Sequence, residues 1–118
     1  MSKKILIIDD DVELCEETAE ILKDDGHFVQ VAFDGKRGYD YIRKNIYDVV
    51  ILDYRMAGLN GIEFLKRIRD CNLKTKIFLV TGKPFIEKLL AEERLSGLVA
   101  GFMNKPFEAE TLLEKINS

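Results

Sequence analysis

Four places in this sequence put a chemically capable side chain straight after a short apolar run. Ile5-Leu6-Ile7-Ile8 leads into Asp9-Asp10-Asp11, Val49-Val50-Ile51-Leu52 into Asp53, Ile77-Phe78-Leu79-Val80 into Thr81-Gly82-Lys83, and the run from Leu98 to Met103 into Asn104-Lys105-Pro106. Three or four carboxylates on one rim repel and raise one another's pKa, so such a cluster needs a cation. The donors are all oxygens, with no His or thiolate among them, which points to a hard ion. Mg²⁺, with Mn²⁺ as a substitute, held by one or two carboxylates together with waters and phosphate oxygens, meets that requirement. A carboxylate beside Mg²⁺, a hydroxyl and an ammonium is the equipment for phosphoryl transfer, with Asp53 as the nucleophile that would become an aspartyl phosphate.

That rim exists only if the runs are neighbouring strands of one sheet. The runs starting at Ile5, Val49 and Ile77 are unbroken and rich in β-branched residues, as strands buried on both faces should be. The run from Phe28 to Phe33 alternates, with Gln30 inside it, and suits an edge strand; the Leu98 run carries Gly101 and suits the opposite edge. Helical periodicity fills the intervals. Val12, Cys15, Ala19 and Leu22 share one face, widened by Leu14, Thr18 and Ile21, with Gly26 as the stop. Tyr39 and Ile42 give a thin stripe between Gly35 and Asn45, where Gly38 costs about 1 kcal/mol of helix propensity. Phe64, Leu65 and Ile68 follow Gly61; Phe85, Ile86, Leu89 and Leu90 precede Gly97; Ala109, Leu112, Leu113 and Ile116 form the last stripe. Strand and helix in alternation imply right-handed crossovers and a doubly wound, three-layer α/β domain around a parallel sheet. Its crevice lies beyond the carboxyl ends of the strands.

Composition bounds the rest. A chain of 118 residues, 47% apolar and 33% charged, is expected to make one domain, residues 1–118, with no output domain within it. Its 18 Lys and Arg against 21 Asp and Glu give a net charge of −3, which argues against direct nucleic-acid binding across the whole surface. No apolar stretch nears the roughly 20 residues that span a bilayer, so the expectation is a cytoplasmic protein without membrane contact. Cys15 and Cys71 are far apart and the single His is His27, which removes zinc sites and disulfide scaffolds. Both cysteines read as small helix residues, and His27 as a solvated turn residue before an edge strand.

Taken together, Asp9-Asp10-Asp11, Val50-Ile51-Leu52-Asp53-Tyr54-Arg55-Met56 with Gly58 and Asn60-Gly61, Val80-Thr81-Gly82 and Gly101-Phe102-Met103-Asn104-Lys105-Pro106-Phe107 resemble the receiver domain of two-component response regulators. The resemblance covers the whole chain and implies the CheY-like, flavodoxin-like fold with five parallel strands in the order 2-1-3-4-5. It makes Asp53 the phosphoacceptor and Asp10 a direct Mg²⁺ ligand, with Asp9 acting largely through water and the Arg55 backbone carbonyl completing the protein ligands. Thr81 would bring its hydroxyl, and Lys105 its ammonium, onto the phosphoryl group. Phe102 takes the switch aromatic position, and the Lys105-Pro106 bond is expected to be cis. The implied partners are a histidine kinase or histidine phosphotransfer protein upstream and an effector domain or protein downstream. The chain would be a monomer or a phosphorylation-dependent dimer, catalysing its own phosphorylation and dephosphorylation rather than turnover of external substrates. Ala57 for the usual Pro, Gly82 for the usual Ala, and Gly38-Tyr39 for Ala-Leu depart from the family's pattern, and none removes a reacting atom.

Each element has a blander reading. Asp10 or Asp11 would cap the first helix well, Thr81 is a natural turn hydroxyl, and Lys105 a surface base. Their joint placement at the ends of strands around one crevice is what favours a site. A haloacid dehalogenase-type phosphotransferase would need Asp-x-Asp-x-Thr or Val, and position 13 is Glu13; a dinucleotide fold would need Gly-x-Gly-x-x-Gly after the first strand. A receiver-shaped scaffold that is never phosphorylated would have lost the acceptor, the Lys or the acid pair. Arg55 and Lys83, long and cationic beside the pocket, offer no carboxylate or amide to orient water, so slow self-dephosphorylation is expected.

Overall fold

The computed structural model describes residues 2–56, 60–71, 74–82 and 85–118. Strands β1 (Lys4–Ile8), β2 (Phe28–Ala32), β3 (Val49–Asp53), β4 (Lys76–Val80) and β5 (Val99–Met103) alternate with helices α1 (Val12–Asp24), α2 (Gly35–Lys44), α3 (Gly61–Ile68), α4 (Ile86–Glu92) and α5 (Ala109–Asn117). All pairings are parallel and the strand order is β2-β1-β3-β4-β5, as the resemblance to receiver domains implies. The order reverses between β1 and β3, so the crevice opens above Ile8 and Asp53.

The central strands bury both faces because helices cover both. Ile5, Ile7, Val49, Ile51, Phe78 and Val80 pack with Cys15, Ala19 and Leu22 of α1 and Leu112 and Ile116 of α5. Leu6, Ile8, Val50, Leu52, Ile77 and Leu79 pack on the other side with residues of α2, α3 and α4, Phe64 and Leu65 among them. The edge strand β2 is only partly covered, and Phe28 stands 73% exposed.

Several local expectations change. Val12 and Ile21 are exposed rather than on the buried stripe, which consists of Cys15, Thr18, Ala19 and Leu22. Asp11 is the N-cap, its Oδ1 accepting from the Leu14 N–H at 3.1 Å. Gly26 ends α1 with φ +91, where a glycine avoids the Cβ penalty. Helix α4 ends at Glu92, ahead of Gly97, with Arg94 in the left-handed region at φ 59. Phe85 precedes α4 and is exposed. Cys71 lies exposed in the 3₁₀ turn Arg69–Cys71.

His27 is buried, not solvated. Its Nδ1 accepts from the Lys3 backbone N–H at 3.0 Å, which leaves Nε2 to donate to Asp25 Oδ2 at 3.0 Å. The same Asp25 oxygen accepts from Asn117 Nδ2 at 3.3 Å, so this cluster ties the α1–β2 turn to the ends of β1 and α5. Gly38, read as a weak point in α2, has a packing reason. A Cβ there would stand 2.7 Å from Cδ1 of fully buried Ile8, so its absence lets α2 lie close on β1.

Candidate functional site

The site is assembled at the carboxyl ends of β1, β3, β4 and β5. Asp9 follows β1, and its backbone N–H donates to the Ala32 carbonyl at 3.0 Å, continuing the ladder to β2 one residue beyond the strand. Cys15, one turn into α1, donates its thiol to the Asp9 carbonyl at 3.2 Å. Burial first, then Asp9 and Asp11, push the Cys15 pKa up to about 12, so the thiol stays protonated and holds this bond. The sequence offered no sign of this contact, since a cysteine on a buried helical stripe looks the same with or without it.

Asp53 is the last residue of β3 and only 7% exposed. Carboxylate oxygens of Asp9, Asp10 and Asp53 lie within 4.8 Å of one another, with Asp9 and Asp53 buried and Asp10 exposed at the mouth. Asp11, spent on capping α1, is outside this group. Burial first, and then the Asp9 charge, raise the Asp53 pKa to about 6, against the lowering pull of Lys105 and of the Arg55 backbone N–H. That N–H reaches Asp53 Oδ1 at a long 3.4 Å, while the Arg55 side chain is exposed on the rim.

Lys105 arrives from beyond β5, preceding a cis Pro106 as expected. Its Nζ lies 2.8 Å from Asp9 Oδ2 and 3.3 Å from Asp53 Oδ2. Burial pulls the Lys105 pKa down, yet its hydrogen bonds and attraction to Asp9 and Asp53 outweigh that, and the net shift is upward. Thr81 is buried just past β4, with its backbone N–H donating to the Met103 carbonyl at 2.8 Å. Lys83, and Ala57 and Gly58 of the loop after Asp53, fall outside the described residues.

Phe102 owes its placement to an irregularity. The β4–β5 register runs Ile77 to Val99 and then Phe78 to Gly101, so one extra residue of β5 is inserted. A bulge shifts the side-chain alternation by one. Val99 and Phe102, three apart, therefore both face the α4 side, where Phe102 is half-buried against the core. The structure thus brings Asp9, Asp10, Asp53 and Lys105 into one cluster, with Thr81 on the next strand and Phe102 alongside on the α4 side.

The sequence that builds this cluster also matches a known protein family. The sequence profile described as the response regulator receiver domain matches residues 5–117. The chain belongs to the response regulator receiver domain family. The transcriptional regulatory protein DltR of Streptococcus agalactiae is 34% identical over 116 residues, covering 96% of this chain and 50% of that protein. The response regulator MprA of a Mycobacterium species is 32% identical over 121 residues, again matching 50% of its length. The receiver thus spans about half the length of the curated relatives it matches. Among solved structures, the chemotaxis protein CheY4 of Vibrio cholerae shares 29% identity at a TM-score of 0.87, covering 99% of this chain and 98% of that one. The receiver domain of Francisella response regulator 1452 shares 29% at a TM-score of 0.85, covering 98% and 93%. Receiver domains typically bind Mg²⁺ at an acidic pocket, and response regulators interact with histidine kinases and downstream effectors. Among the described residues no helix is long and apolar enough to cross a membrane.

Proposed function

We propose that this receiver accepts a phosphoryl group on Asp53 from a histidine kinase or a histidine phosphotransfer protein, acts in the cytoplasm, and signals to an effector through α4, β5 and α5. The observation that carries the reading is the buried Asp53 carboxylate, grouped with Asp9 and Asp10 and touched by Lys105. An all-oxygen donor set, in which burial and the Asp9 charge raise the Asp53 pKa, suits Mg²⁺, with Asp9, Asp10, Asp53 and the Arg55 carbonyl as its holders. When bound, Mg²⁺ neutralises the carboxylates and draws charge from the phosphoryl oxygens.

The remaining work falls to the chain. With a pKa of about 6, Asp53 is mostly ionised at neutral pH and is a competent nucleophile. Its oxygen forms the new bond to phosphorus as the phosphorus–nitrogen bond of the donor phosphohistidine breaks, and the leaving imidazole takes up a proton. Lys105, whose ammonium already reaches Asp53, shifts to a phosphoryl oxygen, and the Thr81 hydroxyl takes another. Contacts made only in the phosphorylated state supply the free-energy difference that moves Phe102 inward and remodels the α4–β5–α5 face. The name of DltR, a transcriptional regulatory protein, favours an effector that acts on transcription. Water attack on the aspartyl phosphate resets the switch.

The test is intact mass after incubation with acetyl phosphate and Mg²⁺. Wild type should gain one phosphoryl group, and Asp53→Ala none. A label that persists in Asp53→Ala, with its site mapped elsewhere, would overturn the proposal. Thermal shift with Mg²⁺ gives a second readout, since a ligand that binds only the folded state raises Tm. That rise should shrink in Asp10→Asn.

A further inference from the structure

The opposite end of the sheet carries the reverse charge. At the amino ends of β1, β3 and β4, a groove of about 1130 Å³ is lined by Lys3, Lys4, Arg43, Lys44, Lys74 and Lys76. A third of the 18 Lys and Arg of an acidic chain is thus gathered in one place. One acid, Asp48, lines the groove with them, and its carboxylate is committed to the Lys4 backbone N–H at 2.8 Å. Among the described residues the ion pairs are His27–Asp25, Lys66–Glu93 and Lys105 with Asp9 and Asp53, and none draws on a groove cation.

Part of this charge has an internal role. Lys3 Nζ donates to the Ile116 carbonyl and Lys76 Nζ to the Ser118 carbonyl, closing the end of α5, and Lys4 Nζ lies 5.1 Å from the Tyr47 ring centroid. Arg43 stacks on Tyr39, leaving the side chains of Lys44 and Lys74 with no hydrogen bond or ion pair to another described residue. Six like charges gathered with a single acid among them call for an anion from outside.

Shape and wall chemistry narrow its class. The volume exceeds the roughly 300–1,000 Å³ of small-molecule pockets, which suits a length of chain over a compact metabolite. Ile46 stands on the groove wall 89% exposed, an apolar anchor point that a polyphosphate would leave unused. Tyr47 is buried beneath Lys4 and presents no ring face for stacking a base, which disfavours single-stranded nucleic acid. We infer that this groove docks an acidic segment of a partner protein, with an apolar side chain of that segment set against Ile46. The groove and the Asp53 cluster lie at opposite ends of the strands, so this docking stands independently of phosphorylation.

The test uses fluorescence anisotropy with a labelled synthetic peptide of alternating Glu and Asp carrying one central Leu. A Ser-for-Leu version, a thymidine oligonucleotide of similar charge and inorganic tripolyphosphate serve as competitors. The Leu peptide should bind best. Lys44→Glu with Lys74→Glu should weaken it by at least about tenfold, and Ile46→Ser should erase the advantage of Leu over Ser. Labelling by acetyl phosphate, retained in both variants, confirms that they fold. Oligonucleotide or tripolyphosphate competing as well as the Leu peptide, or affinity indifferent to Ile46, would overturn the acidic-peptide assignment. Equal binding by the Lys44 and Lys74 charge-reversal variant would overturn the groove itself.

Discussion

The Lys105 ammonium sits 2.8 Å from Oδ2 of Asp9, closer than to Asp53, so the resting clamp leans toward the acid at the end of β1. Lys105 and Asp53 are 52 residues apart in sequence, and only the parallel sheet brings them together. Because Asp9 holds the lysine more tightly, Asp53 keeps a surplus of unfavourable surroundings, consistent with its pKa of about 6.

That surplus predicts a dependence of stability on pH. The ordinary value for an aspartate is 3.8, so the folded chain binds more protons than the unfolded chain between about pH 4 and 6. Stability attributable to this group therefore falls as pH rises through that window and stays lowered above it. In Mg²⁺-free buffer at pH 7, Asp53→Asn should be more stable than wild type by on the order of 1–3 kcal/mol, and the gap should close near pH 4. Urea unfolding at both pH values checks this. A gap that is constant with pH would remove the buried carboxylate as its cause.

The contact between Gly38 and Ile8 predicts a non-additive pair. Gly38→Ala gains about 1 kcal/mol of helix propensity but drives a methyl against Ile8 in a full core, an overpacking cost of about 1–3 kcal/mol. The single variant should be destabilised or at best neutral. Adding Ile8→Val removes the Cδ1 that stands closest, so the double variant should be more stable than the sum of the singles implies. Strict additivity in urea unfolding would show that α2 moves away instead.

How far the sequence carried this structure depends on the range of the interactions involved. The five strands were legible because runs such as Val49 to Leu52 are buried on both faces, and such burial writes itself into residue type. The acids of the site were legible because each stands at a strand's end. What stayed hidden depends on contacts between distant elements. His27 looks like a turn residue, yet it is buried because Lys3, 24 residues away, donates to one ring nitrogen while Asp25 takes the other. Gly38 looks like a flaw until Ile8 is seen beneath it. Asp11 could have joined the cluster or capped α1, and the geometry of the first turn decided for the cap.

Two residues in the left-handed region predict opposite responses. Arg94 closes α4 at φ 59 while the Leu95 N–H donates to the Leu90 carbonyl at 2.8 Å, a helix ending in which glycine is the usual occupant. Relief of the Cβ clash, less glycine's entropy cost, should make Arg94→Gly more stable by about 0.5–1 kcal/mol. Gly26→Ala, at φ 91 with nothing within 4 Å of the new Cβ, should lose about 1 kcal/mol through backbone strain alone. Thermal unfolding of both variants tests the pair, and a stabilising Gly26→Ala would contradict it.

The lifetime of the phosphorylated state should depend on the exposed Arg55. Its backbone N–H is turned to Asp53 Oδ1, while its side chain stands on the rim that attacking water must cross. A guanidinium can only donate, so it can neither accept a proton from that water nor aim its lone pair at phosphorus. Asn in its place supplies a carbonyl that can accept from the water, short of a general base. Arg55→Asn should therefore speed loss of the phosphoryl group by less than the ~10²-fold that a positioned base contributes. Lys83→Asn, two residues after Thr81, belongs in the same series on sequence grounds. The decay of acetyl phosphate-labelled protein, followed by intact mass after removal of the donor, gives the rate directly. A fast wild-type decay, unchanged in either variant, would show that neither residue governs the approach of water.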